Sequence, residues 1–311
     1  MTGTVLGLHH VTAIAGDAQA NHDFYVRTLG QRMVKRTVNF DDPSAWHLYY
    51  GDRTGSAEAG IMTFFAWASM IPGAVGAGQA SVTQYAAPRG ALGFWRDRLT
   101  AAGAPILDRA APFGETALYA RDPDGLVLAL VEVADDPRDP WLAGGIDATV
   151  ALRGLRGVEL LLRDGRGVGA VLREAFGYAE AGVDGQVTRF ALAGSASGVV
   201  DVRGDRQAPA GRGGSGTVHH VAFAVRNRAE QLAMRKRMQA LGLQVTEQID
   251  RDYFWAIYAR TPGGVLFEVA TEEPGFAVDE PVETLGTELR LPRMHEPHRA
   301  AIQRILPPLR A

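Results

Sequence analysis

The feature that most constrains the fold of this chain is an internal repeat. The stretch ALYARDPDGLVLALVE, residues 117–132, matches AIYARTPGGVLFEVAT, residues 256–271, at a constant offset of 139 positions. The same offset carries LTAAGAPI, residues 99–106, onto MQALGLQV, residues 238–245. Two matches in one register indicate that a supersecondary unit recurs along the chain.

Each copy of the repeat is predicted to contain a strand, a helix and three further strands. In the second copy, apolar residues alternate over 218–225 and helical periodicity covers 229–241. Strand patterns follow at 243–248, 253–260 and 265–270, and the turn TPGG joins the last two. The repeated unit is therefore βαβββ.

Two further segments follow the same plan, and Gly- and Pro-rich stretches separate the units. We expect four βαβββ modules at about residues 6–67, 79–134, 147–203 and 217–271. One module leaves its sheet half exposed, so modules must pair. The expected class is α+β, with modules paired in chain order into two domains with curved mixed sheets. The predicted ranges are 1–140 and 146–275, followed by a tail at 276–311.

Composition limits the kinds of partner. The net charge is −3 and the cationic residues are scattered, which argues against a nucleic-acid or anionic membrane surface. The chain has no cysteine, which excludes disulfides and thiolate metal ligands. We see no signal peptide and no long apolar run, so we expect a cytoplasmic protein with a small-molecule partner. The sequence leaves open whether copies of the chain form a homo-oligomer.

The repeat separates residues that the fold needs from residues that one copy alone contains. Tyr258 matches Tyr119, which favours a packing role for Tyr258 and leaves a role in the site open. The second copy alone has His219, His220, Arg251 and Glu268, where the first copy has Ala80, Ser81, Pro112 and Ala129. Residues of this second set are candidates for a functional site.

Strand parity predicts which of these side chains face the cavity. Bulky residues of VHHVAFAV share a face with His219, so His220 lies on the opposite face with small residues. The same alternation places Glu268 on the cavity side. By analogy with His219 and His220, the histidine pair in LHHVT makes His10 the cavity-facing member of that pair. Two imidazoles and a carboxylate form the facial triad of non-haem Fe(II) oxygen chemistry. Zinc accepts the same ligands, so the residue types leave the metal open.

These stretches resemble a known family. The motifs LHHVT, WHLYYGD, TVHHVAFAV and YARTPGGVLFE are similar to those of ring-cleaving dioxygenases of the vicinal oxygen chelate (glyoxalase/bleomycin-resistance) superfamily, most of all the hydroquinone dioxygenases. The resemblance covers about residues 6–271 and extends to the tail. It implies an extradiol-type enzyme with Fe(II), less often Mn(II), that acts on a hydroquinone or catechol and O2.

The resemblance also implies roles for single residues. It places the metal on His10, His220 and Glu268, and the catalytic groups around the metal on His9, Thr12, His219, Arg251 and Tyr258. His9 or His219 would accept the phenol proton or only orient a ligand, and these alternatives stay open. Tyr258 and Arg251 would orient the substrate oxygen. The loop QIDRDYFWAIY departs from that of the dichlorohydroquinone enzymes, so a chlorinated substrate is not implied.

Two other functions fit the same architecture. A glyoxalase-like lyase, isomerase or thiol transferase normally uses four protein ligands, and the repeat offers no fourth. A module that sequesters an aromatic drug would need no metal triad. Of the remaining histidines, we expect His47 to be a core histidine rather than a pocket residue, and we expect His22 to be on the surface.

Overall fold

The computed structural model describes residues 5–56 and 60–310. Residues 1–4, 57–59 and 311, which fall within the predicted ranges 1–140 and 276–311, lie outside the described part. Four βαβββ modules follow one another, and the chain is α+β with two curved mixed sheets. In the described part, no helix is long and apolar enough to cross a membrane.

The helices and strands of the modules have the following bounds. The first module contains β1 (Leu8–Ala15), α1 (Ala18–His22) with a π-helical continuation (Asp23–Thr28), β2 (Arg32–Val38), β3 (Trp46–Gly51) and β4 (Ile61–Ala66). The second contains β5 (Gln79–Pro88), α2 (Leu92–Ala101), β6 (Ile106–Leu107), β7 (Ala117–Arg121) and β8 (Val127–Val133). The third contains β9 (Leu155–Leu162), α3 (Arg166–Ala170) with a π-helical continuation (Val171–Ala175), β10 (Ala179–Asp184), β11 (Val187–Ala191) and β12 (Val199–Gly204). The fourth contains β13 (Val218–Val225), α4 (Arg228–Ala240), β14 (Ile249–Asp250), β15 (Phe254–Arg260) and β16 (Leu266–Pro274). Three short 3₁₀ turns (Phe276–Val278, Val282–Thr284 and Glu296–His298) and α5 (Arg299–Ile305) follow, and a further 3₁₀ turn (Pro112–Gly114) precedes β7.

Local signals in the sequence explain where the longest helix lies and which face it covers. Asn227 caps α4 by accepting a hydrogen bond from the backbone of Glu230 at 3.0 Å. The helix ends just before Gly242, whose φ of +82° suits glycine. Met234 and Met238 of α4 are fully buried in the core that also contains the bulky face of β13. The opposite face of β13 is therefore free to line a cavity.

Eight strands form each of the two sheets. The order in the first is β14-β15-β16-β13-β1-β4-β3-β2, and in the second it is β10-β11-β12-β9-β5-β8-β7-β6. The first strands of two modules meet antiparallel at each centre, β1 with β13 and β5 with β9. Each first strand is also parallel to the last strand of its own module. Both sheets are thus mixed.

This topology corrects the pairing that we expected from chain order within 1–140 and 146–275. The first module pairs with the fourth, and the second pairs with the third. The linkers at 67–78 and 205–217 run side by side through short bridges, for example between Ala74 and Arg212. A Cβ on Gly76 would lie 2.5 Å from the carbonyl oxygen of Pro209, so glycine permits this close approach. The glycine-rich linkers therefore pack together instead of separating two consecutive pairs.

The strand registers also correct the alignment of the two copies on β5 and β13. Ala222 of β13 lies opposite Glu268, and Gln84 of β5 lies opposite Ala129. Glu268 and Ala129 correspond in the repeat, so Ala222 corresponds to Gln84. The offset on these strands is therefore 138 rather than 139. Matching positions of β5 and β13 are therefore one residue closer in the sequence than the gapless repeat implies, and only the strand register reveals this.

The segment after β16, described at 276–310, packs back on the first sheet. The fully buried ammonium of Lys35 on β2 forms ion pairs with Asp279, at 2.6 Å, and with Glu280. The indole nitrogen of Trp46 donates to the carbonyl of Pro307 at 2.9 Å. Phe276 lies against Tyr49, with ring centroids 5.2 Å apart. These contacts hold the segment beside the concave face of the first sheet.

Candidate metal centre and aromatic pocket

Three neighbouring strands at the centre of the first sheet carry the predicted metal ligands. His10 of β1 lies opposite Ala222 of β13, and Ala222 lies opposite Glu268 of β16. His220 is two residues from Ala222 and therefore shares its face. The side chains of His10, His220 and Glu268 meet on the concave side, as strand parity predicts.

The donor atoms of these three residues form a compact group. Nε2 of His220 lies 3.0 Å from Oε2 of Glu268 and 3.0 Å from Nε2 of His10. The distance from Nε2 of His10 to the same carboxylate oxygen is 3.4 Å. All three side chains are buried, and their donor atoms lie within 4.8 Å of one another. One ion at the centre of this group would reach all three.

The charges in the group favour a bound cation. Burial would raise the pKa of Glu268, but the imidazoles of His10 and His220 outweigh it and hold that pKa well below its usual range. Burial lowers the pKa of His220, and the neighbouring carboxylate opposes part of that effect. A buried carboxylate beside two imidazoles is thus kept in the charged form that binds metal.

The hydrogen bonds of Glu268 give a separate test of whether a metal fits. No residue of the described part donates a hydrogen bond of normal geometry to either of its carboxylate oxygens, although Glu268 is fully buried. Buried carboxylate oxygens without a well-aligned hydrogen-bond donor are rare in folded proteins because they lose their hydration without full replacement. A divalent cation would supply the missing partner, and two histidines with one carboxylate suit a first-row transition metal. The residues present therefore fit such an ion.

The second histidine of each pair lies against the first. Nδ1 of His9 is 2.7 Å from Nδ1 of His10, and Nδ1 of His219 is 2.8 Å from Nδ1 of His220. Burial lowers the pKa of His9 to about 3 and that of His219 to about 4. Both rings are therefore neutral at neutral pH and can accept a hydrogen bond. With His9 and His219 as the acceptors, each ligating ring has its proton on Nδ1 and its Nε2 lone pair free for a metal.

A pocket of about 320 Å³ opens over the three ligands. Besides them it is lined by Asn39, Phe40, Asp41, His47, Tyr49, Phe65, Arg251, Phe254 and Tyr258. Aromatic rings dominate its walls, and Phe254 lies 5.3 Å from the ring of His10. An apolar pocket with a few polar groups is the usual form of a small-molecule site. The walls suit a flat aromatic ligand.

Tyr258 and Arg251 lie together at one wall of this pocket. The guanidinium of Arg251 is 5.8 Å from the ring centre of Tyr258 and forms an ion pair with Asp41 at 3.3 Å. Burial and the charge of Glu268 raise the pKa of Tyr258, so its hydroxyl stays protonated. Burial would lower the pKa of Arg251, but Tyr258 and Asp41 raise it overall. This wall therefore offers a neutral hydroxyl donor and a fixed positive charge.

The structure places the remaining predicted residues outside the pocket lining. His9, His219 and Thr12 do not line it, and Thr12 instead bonds to Thr63 with 2.7 Å between the hydroxyl oxygens.

His22 is buried rather than on the surface. His47, which we expected in the core, is buried and also lines the pocket. Every residue of β3 before Gly51 is buried, so alternation along this strand gave no sign of its cavity face.

The matching positions of the second sheet contain no metal ligands. Val82 corresponds to His220 once the offset of 138 is applied, and Ala129 corresponds to Glu268. Gly157 lies opposite Gln84 as His10 lies opposite Ala222, so it corresponds to His10. Within residues 5–56 and 60–310, only the first sheet brings together three His, Asp or Glu side chains with metal-binding spacing.

Comparison with known proteins identifies relatives that are named as dioxygenases. MhqO of Bacillus subtilis, which carries the name ring-cleaving dioxygenase, is 41% identical over 310 residues, covering 99% of this chain and 98% of its own. The chlorohydroquinone/hydroquinone 1,2-dioxygenase of Sphingobium indicum is 36% identical, covering 92% of this chain and 91% of its own. A crystal structure of a Bacillus subtilis protein named as a dioxygenase superposes with a TM-score of 0.95 at 40% identity and covers 99% of both chains.

The family comparison covers both halves of the molecule. The model of the Glyoxalase/Bleomycin resistance protein/Dioxygenase superfamily matches residues 7–130 and 162–269. These ranges contain strands of all four modules and all three candidate ligands. The chain belongs to the Glyoxalase/Bleomycin resistance protein/Dioxygenase superfamily.

Proposed function

We propose that this protein is a ring-cleaving dioxygenase of the extradiol type that inserts O2 into a hydroquinone or catechol and depends on non-haem Fe(II). The observation that carries the proposal is the buried triad of His10, His220 and Glu268 at the base of an aromatic pocket. The names of relatives at 36–42% identity support the reaction class. Mn(II) is the alternative metal, because the same ligands accept it.

His10, His220 and Glu268 would hold the metal through two imidazole nitrogens and a carboxylate oxygen. A redox-active ion bound there would supply the electron transfer between the aromatic ring and O2, which organic groups with paired electrons do not provide. Its positive charge would also favour the phenolate form of a substrate oxygen. His9 and His219 keep the Nε2 lone pairs of the two ligating imidazoles directed at the centre, through the Nδ1 contacts.

Other residues of the chain would position the substrate. Phe65 and Phe254 flank the histidine ligands, and an aromatic ring fits between such walls. The hydroxyl of Tyr258 can donate to a substrate oxygen, and the guanidinium of Arg251 can stabilise negative charge that develops there. Thr12, outside the pocket, would act only through the groups that it contacts.

The direct test is anaerobic reconstitution of the apoprotein with Fe(II), followed by oxygen uptake against a panel of hydroquinones and catechols. We expect uptake with at least one of these rings, together with loss of its aromatic absorbance. No uptake with any ring, alongside isomerase activity on a glutathione hemithioacetal, would replace this proposal with a glyoxalase-type function. Tight binding of aromatic ligands without any turnover would instead indicate sequestration.

A further inference from the structure

A chain of hydrogen bonds runs through the pocket wall across β3, β4 and β1. The hydroxyl of Tyr49 lies 2.9 Å from Nδ1 of His47, and Nε2 of His47 lies 3.2 Å from the hydroxyl of Thr63. Thr63 in turn contacts the hydroxyl of Thr12 at 2.7 Å. All four side chains are buried. The chain links the pocket to the strand that carries His10.

The second sheet indicates that the fold does not require this chain of hydrogen bonds. Thr63 lies opposite both Thr12 and Tyr49, and Asp201 occupies the matching place between Glu159 and Arg189. There Asp201 forms an ion pair with Arg189 at 2.7 Å, and Arg189 also pairs with Glu115 at 2.7 Å. The same strand positions thus accept a network of ion pairs in one sheet and a neutral chain of hydrogen bonds in the other. The neutral chain is specific to the sheet with the pocket.

The unused hydrogen-bonding capacity of these linked side chains lies at the hydroxyl of Tyr49. His47 uses one ring nitrogen for Tyr49 and the other for Thr63, so it has no capacity left for a ligand. A tyrosine hydroxyl takes part in up to three hydrogen bonds, and that of Tyr49 has one partner in the described part. Because Tyr49 lines the pocket, its remaining capacity is available to a bound molecule.

The distance from the metal ligands determines which molecule could use this hydroxyl. Tyr49 lies on β3, two strands from β1, so its backbone lies about 10 Å from that of β1 across the curved sheet. A catechol has both oxygens on neighbouring carbons, so both lie at the metal end. A hydroquinone has its second oxygen at the opposite end of the ring. We infer that Tyr49, held in place by His47, binds the second oxygen of a para-diol.

This inference rests on the proposed function and is tested by binding rather than turnover. Hydroquinone and phenol differ only in the second hydroxyl, so their affinities for the Fe(II)-loaded protein, measured by anaerobic calorimetry, isolate its contribution. We expect the wild type to bind hydroquinone about five- to tenfold more tightly, the value of one neutral hydrogen bond. Tyr49→Phe should abolish this preference and should bind phenol as the wild type does.

A neighbouring tyrosine supplies the matched control. Tyr50 is equally buried on the same strand, and its hydroxyl donates to Asn21 at 2.9 Å instead of facing the pocket. Tyr50→Phe should therefore keep the full preference for hydroquinone. A preference that survives in Tyr49→Phe, or that falls equally in both variants, would overturn the inference while leaving the dioxygenase proposal intact. Absence of binding and of oxygen uptake in the wild type would overturn both.

Discussion

Replacing Glu268 by alanine should separate metal binding from folding. Glu268 supplies the only negative charge of the triad, and it is fully buried, so solvent cannot replace it. The sheet should tolerate the change because Ala129 occupies the matching position on β8. Loss of a charged ligand from such a site weakens metal affinity by at least about 100-fold.

The expected effect on stability follows from linkage between binding and folding. Fe(II) at about 100 times the dissociation constant adds about 2.7 kcal/mol to the unfolding free energy of the wild type. That is about 4 °C in Tm for a chain of 311 residues. In Glu268→Ala the same Fe(II) concentration only reaches the weakened dissociation constant, so the gain falls to about 0.4 kcal/mol.

Differential scanning fluorimetry under anaerobic conditions, with and without Fe(II), measures both shifts. Glu268→Gln keeps the volume without the charge and should behave as Glu268→Ala does. Glu132→Ala on β8 of the second sheet is the control and should keep the full shift. If Glu268→Ala retains the wild-type shift in Tm, the ligand assignment is wrong.

Three further predictions concern other parts of the molecule. Burial raises the pKa of Asp122 to about 7, so this carboxyl is protonated in the folded protein below that pH. Raising the pH from 5 to 7 should therefore lower the free energy of unfolding by about 1 kcal/mol per pH unit. Urea unfolding of Asp122→Asn should show a flatter pH profile; an unchanged profile would refute this origin. Arg251→Ala should lower kcat/KM for the aromatic substrate by about tenfold or more in steady-state oxygen uptake, and unaltered kinetics would remove Arg251 from the site. Arg293 of the tail holds Asp252, next to Arg251, through an ion pair at 2.7 Å. Arg293→Ala should therefore raise KM without changing Tm, whereas an unchanged KM would leave the tail without a role in the pocket.

The sequence was most informative where local pattern and chemistry coincide. The repeat and the alternation along β13 and β16 predicted four modules and the cavity-facing positions of His220 and Glu268. The pairing of modules could not be predicted in this way, because every module presents a similar first strand as a partner. The registers of β5 and β13 differ by one residue in the repeat, which a gapless alignment cannot reveal.

His47 and Tyr49 show a different limit of the sequence. Both faces of β3 are buried, one by the core and one by the pocket wall, so apolar and aromatic residues occur without alternation. Only the neighbouring strands reveal that His47 and Tyr49 face the same cavity as His10. Residues of the tail likewise reach the pocket wall through contacts that no local pattern encodes, such as that of Phe276 with Tyr49.

Ring cleavage by O2 at the triad of His10, His220 and Glu268 is tested most directly by following the oxygen atoms. The Fe(II)-loaded protein is given hydroquinone under ¹⁸O2, and the product is analysed by mass spectrometry. We expect a ring-opened product that contains both atoms of one O2 molecule, at a rate that Glu268→Ala abolishes. A product with an intact ring, or with oxygen derived only from water, would contradict it.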